Sequence, residues 1–158
     1  VTPILRVATP ADMHAIWQIE RQVFGDAVYP DFFFRQAMDL WPDLLLVAER
    51  DGQLLGYGLG GVGQEGVQGW LLSLAVLPQA RGLGLAAAII TRLEQALLAQ
   101  GCRRVRLTVD PANPARRLYQ RLGYRELARD PAYFGPGEAR CLLEHALAPQ
   151  AEEARDRP

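Results

Sequence analysis

The chain has 158 residues, 49% of them hydrophobic and 22% charged, with a formal net charge of −1. That length suits one domain able to bury roughly 70% of its unfolded surface, and the near-neutral balance excludes bulk attraction to nucleic acid or to a membrane surface. No signal-peptide pattern opens the chain and no window reaches the roughly 18 apolar residues of a membrane span, while Cys102 and Cys141 stand apart without metal-ligand spacing, as buried thiols of a cytoplasmic protein do.

In chain order, residues 4–8 alternate as a short strand. Thr9 is a good N-cap and Pro10 suits a first helical position. The helix that follows carries Met13, Ile16, Trp17, Val23 and Phe24 on one face, and Glu20 falls on the same stripe. A second helix is expected from Pro30 to Leu40, capped by Asp31 and stopped by Pro42. Leu44–Ala48 reads as a strand. Asp51-Gly52 is a hairpin signal, and residues 53–62 return as the next strand. Another strand covers residues 69–76 and a long helix runs from about Leu83 to Gln100, with Ala86, Ile89, Ile90, Leu93 and Leu97 as its core stripe and Gly101 as its stop. Residues 103–109 alternate as a strand. Asn113-Pro114 caps a helix that turns Leu118 and Leu122 inward and ends at Gly123, and a closing hairpin has residues 139–147 as its last strand. From Pro149 the chain is polar and is expected to be disordered.

The strand–helix–strand unit over residues 69–109 implies a parallel pair, whereas the tight early hairpin implies antiparallel strands. The expected fold is therefore α/β (α+β): a mixed, mostly antiparallel sheet of about six or seven strands with a splayed parallel central pair and about four flanking helices, formed by residues 1–148.

Several features are discounted. Gly58-Leu59-Gly60-Gly61-Val62-Gly63 fits a dinucleotide-binding glycine pattern, but it ends a strand and leads into another strand rather than opening a helix. Glycines of a hairpin and flexible loop account for it better. His14 and His145 lack partners at ligand spacing, so no metal site is expected. No serine-hydrolase elbow occurs. The arginines at 103, 104, 106, 116, 117, 121, 125 and 129 read as a solvated basic face, with Arg116 and Arg117, near a helix start, as candidates for holding a polyphosphate.

The richest segment is Leu72–Gly84. An apolar strand stops at Pro78, and a short polar stretch, Gln79 to Gly84 with an Arg and two glycines, leads into the long helix. The first N–H groups of a helix lack internal partners and lie at the positive end of its dipole, and glycines admit an anion to close approach. An ordinary strand-to-helix connection has the same outline. Tyr119, in the next helix, could face the gap between the two parallel strands or simply pack.

Gln79-x-x-Gly82-x-Gly84 after Leu74-Ala75-Val76-x-Pro78 resembles the acetyl-CoA motif of the GNAT superfamily of N-acetyltransferases, and Ala115-x-x-Leu118-Tyr119-x-x-x-Gly123-Tyr124 resembles that superfamily's second motif. The match covers about residues 69–126. The resemblance implies acetyl-CoA in a V-shaped opening between the parallel strands. Its pantetheine would pair with the backbone of Leu74, Ala75 and Val76, and its pyrophosphate would rest on the amides of Arg81 to Leu85. A strand amide would polarise the thioester carbonyl, and Tyr119 would protonate the departing thiolate, whose unperturbed pKa is about 8.5. Asn113 and Arg116 are carried over as cofactor contacts, although many members place an Asn where this chain has Ala112, so Asn113 also reads as a plain helix cap.

Tyr133–Ala139 is similar to the closing hairpin of the branch that acetylates protein N-termini, including ribosomal-protein acetyltransferases. That branch often carries a Glu base where this chain has Leu107 or Thr108. Glu20 is the leading alternative, since a carboxylate on an apolar stripe faces a core or a cleft; an Arg-paired core-edge role is the plain reading, and Glu49 or a water ordered by Ser73 are further options. The expectation is an acetyl-CoA-dependent N-acetyltransferase acting directly on a primary amine, either a protein N-terminus or a small molecule, as monomer or homodimer. A non-catalytic acetyl-CoA-binding module is the alternative. Tyr29, Phe32, Phe33, Phe34 and Tyr133 suggest a partly aromatic acceptor pocket.

Overall fold

The computed structural model describes residues 2–147, and the tail expected over 149–158 lies outside the described residues. Seven strands make one sheet: β1 (Ile4–Val7), β2 (Leu45–Arg50), β3 (Gln53–Val62), β4 (Gln68–Val76), β5 (Arg104–Val109), β6 (Arg125–Asp130) and β7 (Arg140–Ala146), in the spatial order β1-β2-β3-β4-β5-β7-β6. Every pairing is antiparallel except β4 with β5. Four helices flank it: α1 (Met13–Phe24), α2 (Asp31–Leu40), α3 (Leu85–Ala99) and α4 (Arg116–Arg121).

The run Leu44–Ala48 is apolar throughout because both faces of β2 are covered. Leu44, Leu46 and Ala48 join a core with α3 and α4, while Leu45 and Val47 join a second core with α1 and α2. The β2–β3 turn has positive φ at both Asp51 and Gly52, as a two-residue hairpin with right-twisting strands requires.

Three expectations change. A 3-10 turn over Pro10–Asp12 precedes α1, whose buried residues are Ile16, Ile19 and Glu20. Phe24 ends the helix beside Gly25 and is 43% exposed, so it lies off the core stripe. Gly84 has φ +74, a left-handed conformation outside a right-handed helix, and α3 begins one residue later at Leu85. The glycines at 58–61 lie inside β3, the strand expected over 53–62, and packing rather than a flexible loop accounts for them: a Cβ on Gly58 would stand 2.4 Å from Ile89 Cγ2 and 3.0 Å from Leu93 Cδ1, and one on Gly61 would stand 3.2 Å from the Trp41 ring. They admit α3 and Trp41 to close packing on the sheet.

Gly58→Ala is accordingly expected to lower unfolding stability by about 1–3 kcal/mol through overpacking, measured as a shift of the urea midpoint at unchanged slope. Gly60→Ala, whose Cβ would meet nothing closer than 3.4 Å, should cost less than half as much.

Candidate active site

The site is made by strands that stop pairing. β4 and β5 are in register only at Gln68↔Arg104, Gly69↔Val105 and Trp70↔Arg106. Beyond Trp70 each strand keeps its outer neighbour, β3 or β7, and loses the inner one. Between Leu71–Val76 and Leu107–Val109 opens a cleft of about 980 Å³. A bulge lies at its start: Gly60 faces Leu71 and Leu59 faces Ser73, which leaves Leu72 as an extra residue on β4. Bulges bend a strand and raise its local twist. This one also changes which face the side chains take, so Leu71 packs toward α3 while Leu72 and Ala75 pack toward α1 and α2.

On the α1 side, Glu20 lines the cleft yet is only 3% exposed. Its Oε2 accepts a short hydrogen bond from the Tyr57 hydroxyl, which sits 2.6 Å from Ser73 Oγ. Burial pushes the Glu20 carboxyl above the usual carboxylate range, and hydrogen bonding from Tyr57 offsets part of that rise. Burial and the Glu20 charge both raise the Tyr57 and Tyr29 hydroxyls. Tyr57 packs edge-on against Phe34 at 5.4 Å.

On the α4 side, Tyr119 lines the same cleft, and burial pushes its hydroxyl up to about 12. It is therefore neutral, with a proton to give, across the physiological range. Its ring meets Tyr124 edge-on at 5.8 Å. Asn113 also lines the cleft; its Oδ1 accepts from the Ala115 N–H at 2.9 Å in a turn that leads into α4, whose N-cap is Ala115 and not Asn113 as expected.

The segment between β4 and α3 turns through a 3-10 turn (Pro78–Ala80). Ala80 is fully buried and anchors the turn, while Arg81, Gly82, Leu83 and Gly84 are exposed. Gly82 and Gly84 have φ +84 and +74, and nothing lies within 4 Å of where their Cβ atoms would be. Open space over a left-handed backbone is a cradle an anion can enter. Because α3 is capped by Gly84, no side chain competes for its first N–H groups.

Of the expected site residues, Glu20, Leu74, Ala75, Val76, Arg81, Asn113 and Tyr119 share the cleft wall. Gln79, Ala80, Gly82, Leu83, Gly84 and Leu85 form the turn that adjoins it. Arg116 is not on the wall: its Nη1 donates to the Pro111 carbonyl at 2.9 Å, and Glu126 stands 3.9 Å from Nη2. Glu49 is bound to Arg6 at 2.7 Å and lies away from the cleft, whereas Ser73 lines it. Of the aromatic group only Tyr29 is on the wall; Phe34 is core, and Phe32 and Tyr133 are exposed. His145 is held by Glu94 at 2.5 Å and His14 packs on Trp17. Among the described residues no group of His, Cys, Asp and Glu has metal-site geometry, and no helix is long and apolar enough to cross a membrane. Tyr57, Asp26, Asp110 and Arg140 were not anticipated. A tyrosine inside a glycine-rich strand opposite the Glu20 helix is the one signal that could have exposed Tyr57.

Comparison with known proteins agrees with this geometry. The sequence model of the acetyltransferase (GNAT) family matches residues 12–124. An uncharacterized N-acetyltransferase of Methanocaldococcus jannaschii is 34% identical over 142 residues, covering 89% of each chain. The ribosomal-protein-S18-alanine N-acetyltransferase of Escherichia coli superposes with a TM-score of 0.80 at 20% identity, over 93% of this chain and 95% of that one. The structure of yncA from Salmonella typhimurium with its cofactor acetyl-CoA gives 0.78 at 22% identity, over 94% and 95%. The last two likenesses are of fold.

The raised Glu20 carboxyl has a consequence for stability. A carboxyl whose folded pKa exceeds its unfolded value, here 4.5, holds its proton more tightly in the folded state, so folding stability falls as pH rises from that value through the folded pKa. Glu20→Gln removes this dependence. Urea unfolding at pH 4.5 and at pH 8 should show the variant gaining on the native chain at the higher pH; an equal difference at both would contradict the assignment.

Proposed function

Since the chain belongs to the acetyltransferase (GNAT) family, we propose that it moves an acetyl group from acetyl-CoA directly to a primary amine held in the β4–β5 cleft. The observation that carries this reading is the convergence, at one parting of strands, of a glycine turn with no side-chain cap, a neutral tyrosine and a buried carboxyl.

The residues present suit the donor. The exposed turn Arg81–Gly84 and the first N–H groups of α3 offer a seat for pyrophosphate, with Arg81 beside it. The β4 edge from Leu74 to Val76, unpaired on its β5 side, offers backbone groups to pantetheine amides. When bound, acetyl-CoA supplies the acetyl group as an activated thioester. A β4 N–H polarises the carbonyl as oxyanion-type donors do. An ammonium acceptor sheds two protons on becoming an amide: Glu20 receives the one that frees the lone pair for attack, and the one released after attack replaces the proton that Tyr119 gives to the departing sulfur. Burial raises both groups, which favours the carboxyl as a proton acceptor and keeps the phenol protonated as a donor.

The acceptor we favour is a protein or peptide N-terminus. The Tyr133–Ala139 hairpin and the fold shared with the ribosomal-protein-S18-alanine N-acetyltransferase support it, and a small-molecule amine is the other candidate. A transfer screen over alanine-, serine- and methionine-initiated peptides, a lysine peptide and spermidine, with products identified by mass, separates them.

Tyr119→Phe is expected to lower kcat by about 10²-fold while leaving acetyl-CoA affinity within about twofold, since the hydroxyl acts only as bonds change. Isothermal titration alongside steady-state kinetics checks both parts; an unchanged kcat would remove Tyr119 from the mechanism.

A further inference from the structure

Glu20, Tyr57 and Ser73 come from α1, β3 and β4 and meet in a core otherwise built of apolar side chains. Their hydrogen bonds have a forced direction. An ionised carboxylate can only accept, so the Tyr57 O–H donates to Glu20 Oε2. Tyr57 has one proton, so towards Ser73 it can only accept, and the Ser73 O–H donates to it across 2.6 Å. Ser73 Oγ is left with lone pairs and no proton to offer. Of the pair, Ser73 lines the cleft, while Tyr57 is fully buried and off its wall. The bulge at Leu72 keeps Ser73 on the Tyr57 face of β4.

We propose that Ser73 and Tyr57 form a proton relay that carries the acceptor's proton from the cleft to Glu20. The inference rests on the acetyl-transfer reading above. An ammonium N–H gives its proton to Ser73 Oγ, Ser73 passes its own to Tyr57 Oη, and Tyr57 passes its own to Glu20 Oε2. The acceptor becomes a neutral amine with a free lone pair, Glu20 becomes a carboxylic acid, and both hydroxyls end neutral with their bond directions reversed. Because each oxygen gains a proton as it loses one, the raised Tyr57 hydroxyl never has to ionise. Ser73 touches the substrate; Tyr57 is a positioning residue that acts through its two neighbours. The other charged or titratable side chains on the cleft are Asp26 and Tyr29 from the α1–α2 loop, Arg81 from the turn before α3, Asp110 after β5, Tyr119 from α4 and Arg140 from β7.

The test is steady-state transfer from acetyl-CoA to an alanine-initiated peptide between pH 6 and 10. Ser73→Ala and Tyr57→Phe should each lower kcat at pH 7 by about tenfold or more with KM for acetyl-CoA unchanged. The loss should shrink as pH passes the ordinary α-amino pKa of about 7.7–8.0, where the amine arrives already neutral. Ser73→Thr, which keeps the hydroxyl, should restore the rate, and adding Tyr57→Phe to Glu20→Gln should cost nothing further. If Glu20→Gln is slow while Ser73→Ala and Tyr57→Phe keep wild-type rates, Glu20 takes the proton directly and the relay is overturned. Losses of equal size at every pH overturn it too, as the mark of a structural role. A wild-type chain that transfers to no amine sinks the acetyl-transfer reading, and with it the relay. Independently of any acceptor, the carboxyl band of Glu20 in infrared titration should move to higher pH in both Tyr57→Phe and Ser73→Ala; an unmoved titration in both means that no connected chain exists.

Discussion

Everything in this chain turns on a parallel pair that is paired at one end only. An interior strand normally spends its backbone on two neighbours, and a buried N–H or C=O without a partner is costly. β4 and β5 share three rungs and then part. The parting is tolerable only because the freed edges face a cleft that water or a ligand can enter. The backbone that would have closed the sheet becomes a recognition surface, and a ligand carrying its own amides could complete the ladder there.

The gap also joins two otherwise separate cores. The α3–α4 core supplies Tyr119, and the α1–α2 core supplies Glu20 with Tyr57. In an uninterrupted sheet these groups would lie on opposite faces, screened from each other by backbone. Where β4 and β5 diverge they share one cavity. A buried carboxyl and a buried phenol thus face one cleft from its two sides, and each is tuned by its own core: burial makes the carboxyl a stronger base and keeps the phenol protonated.

Much of this was legible in the sequence, and the reasons for the remainder are physical. Period-two and period-3.6 patterns located the strands and α3 because burial on one face writes itself into spacing. The order strand, Gln79–Gly84, helix marked the glycine turn before α3 because only certain residues accept that backbone. Glu20 was noticed because a charge on an apolar stripe breaks the pattern. Tyr57 and Ser73 were harder: a tyrosine in a strand and a serine before Leu74 break no pattern, and their meaning lies in tertiary contacts spanning 37 and 16 residues. The glycines of β3 misled for the same reason, since their cause is the approach of Ile89 and Leu93 from another element. The Phe24 error came from extending a stripe to the last residue of a helix, where Gly25 turns the chain away.

The same architecture separates what holds the fold from what can vary around the cleft. β4 is secured by seven register pairs with β3, and β5 by six with β7. The sheet therefore does not depend on the gap being filled. The α1–α2 loop bounds the cleft with Asp26 and Tyr29, and the β6–β7 connection carries the exposed Tyr133 and Phe134. They can change without disturbing Tyr119 or the Glu20–Tyr57–Ser73 chain, whose positions are set by strands and helices. Under the proposed reading, the donor's seat is a turn whose backbone admits few residues, while the acceptor meets loops that admit many, which is why the one leaves a motif in a single sequence and the other does not.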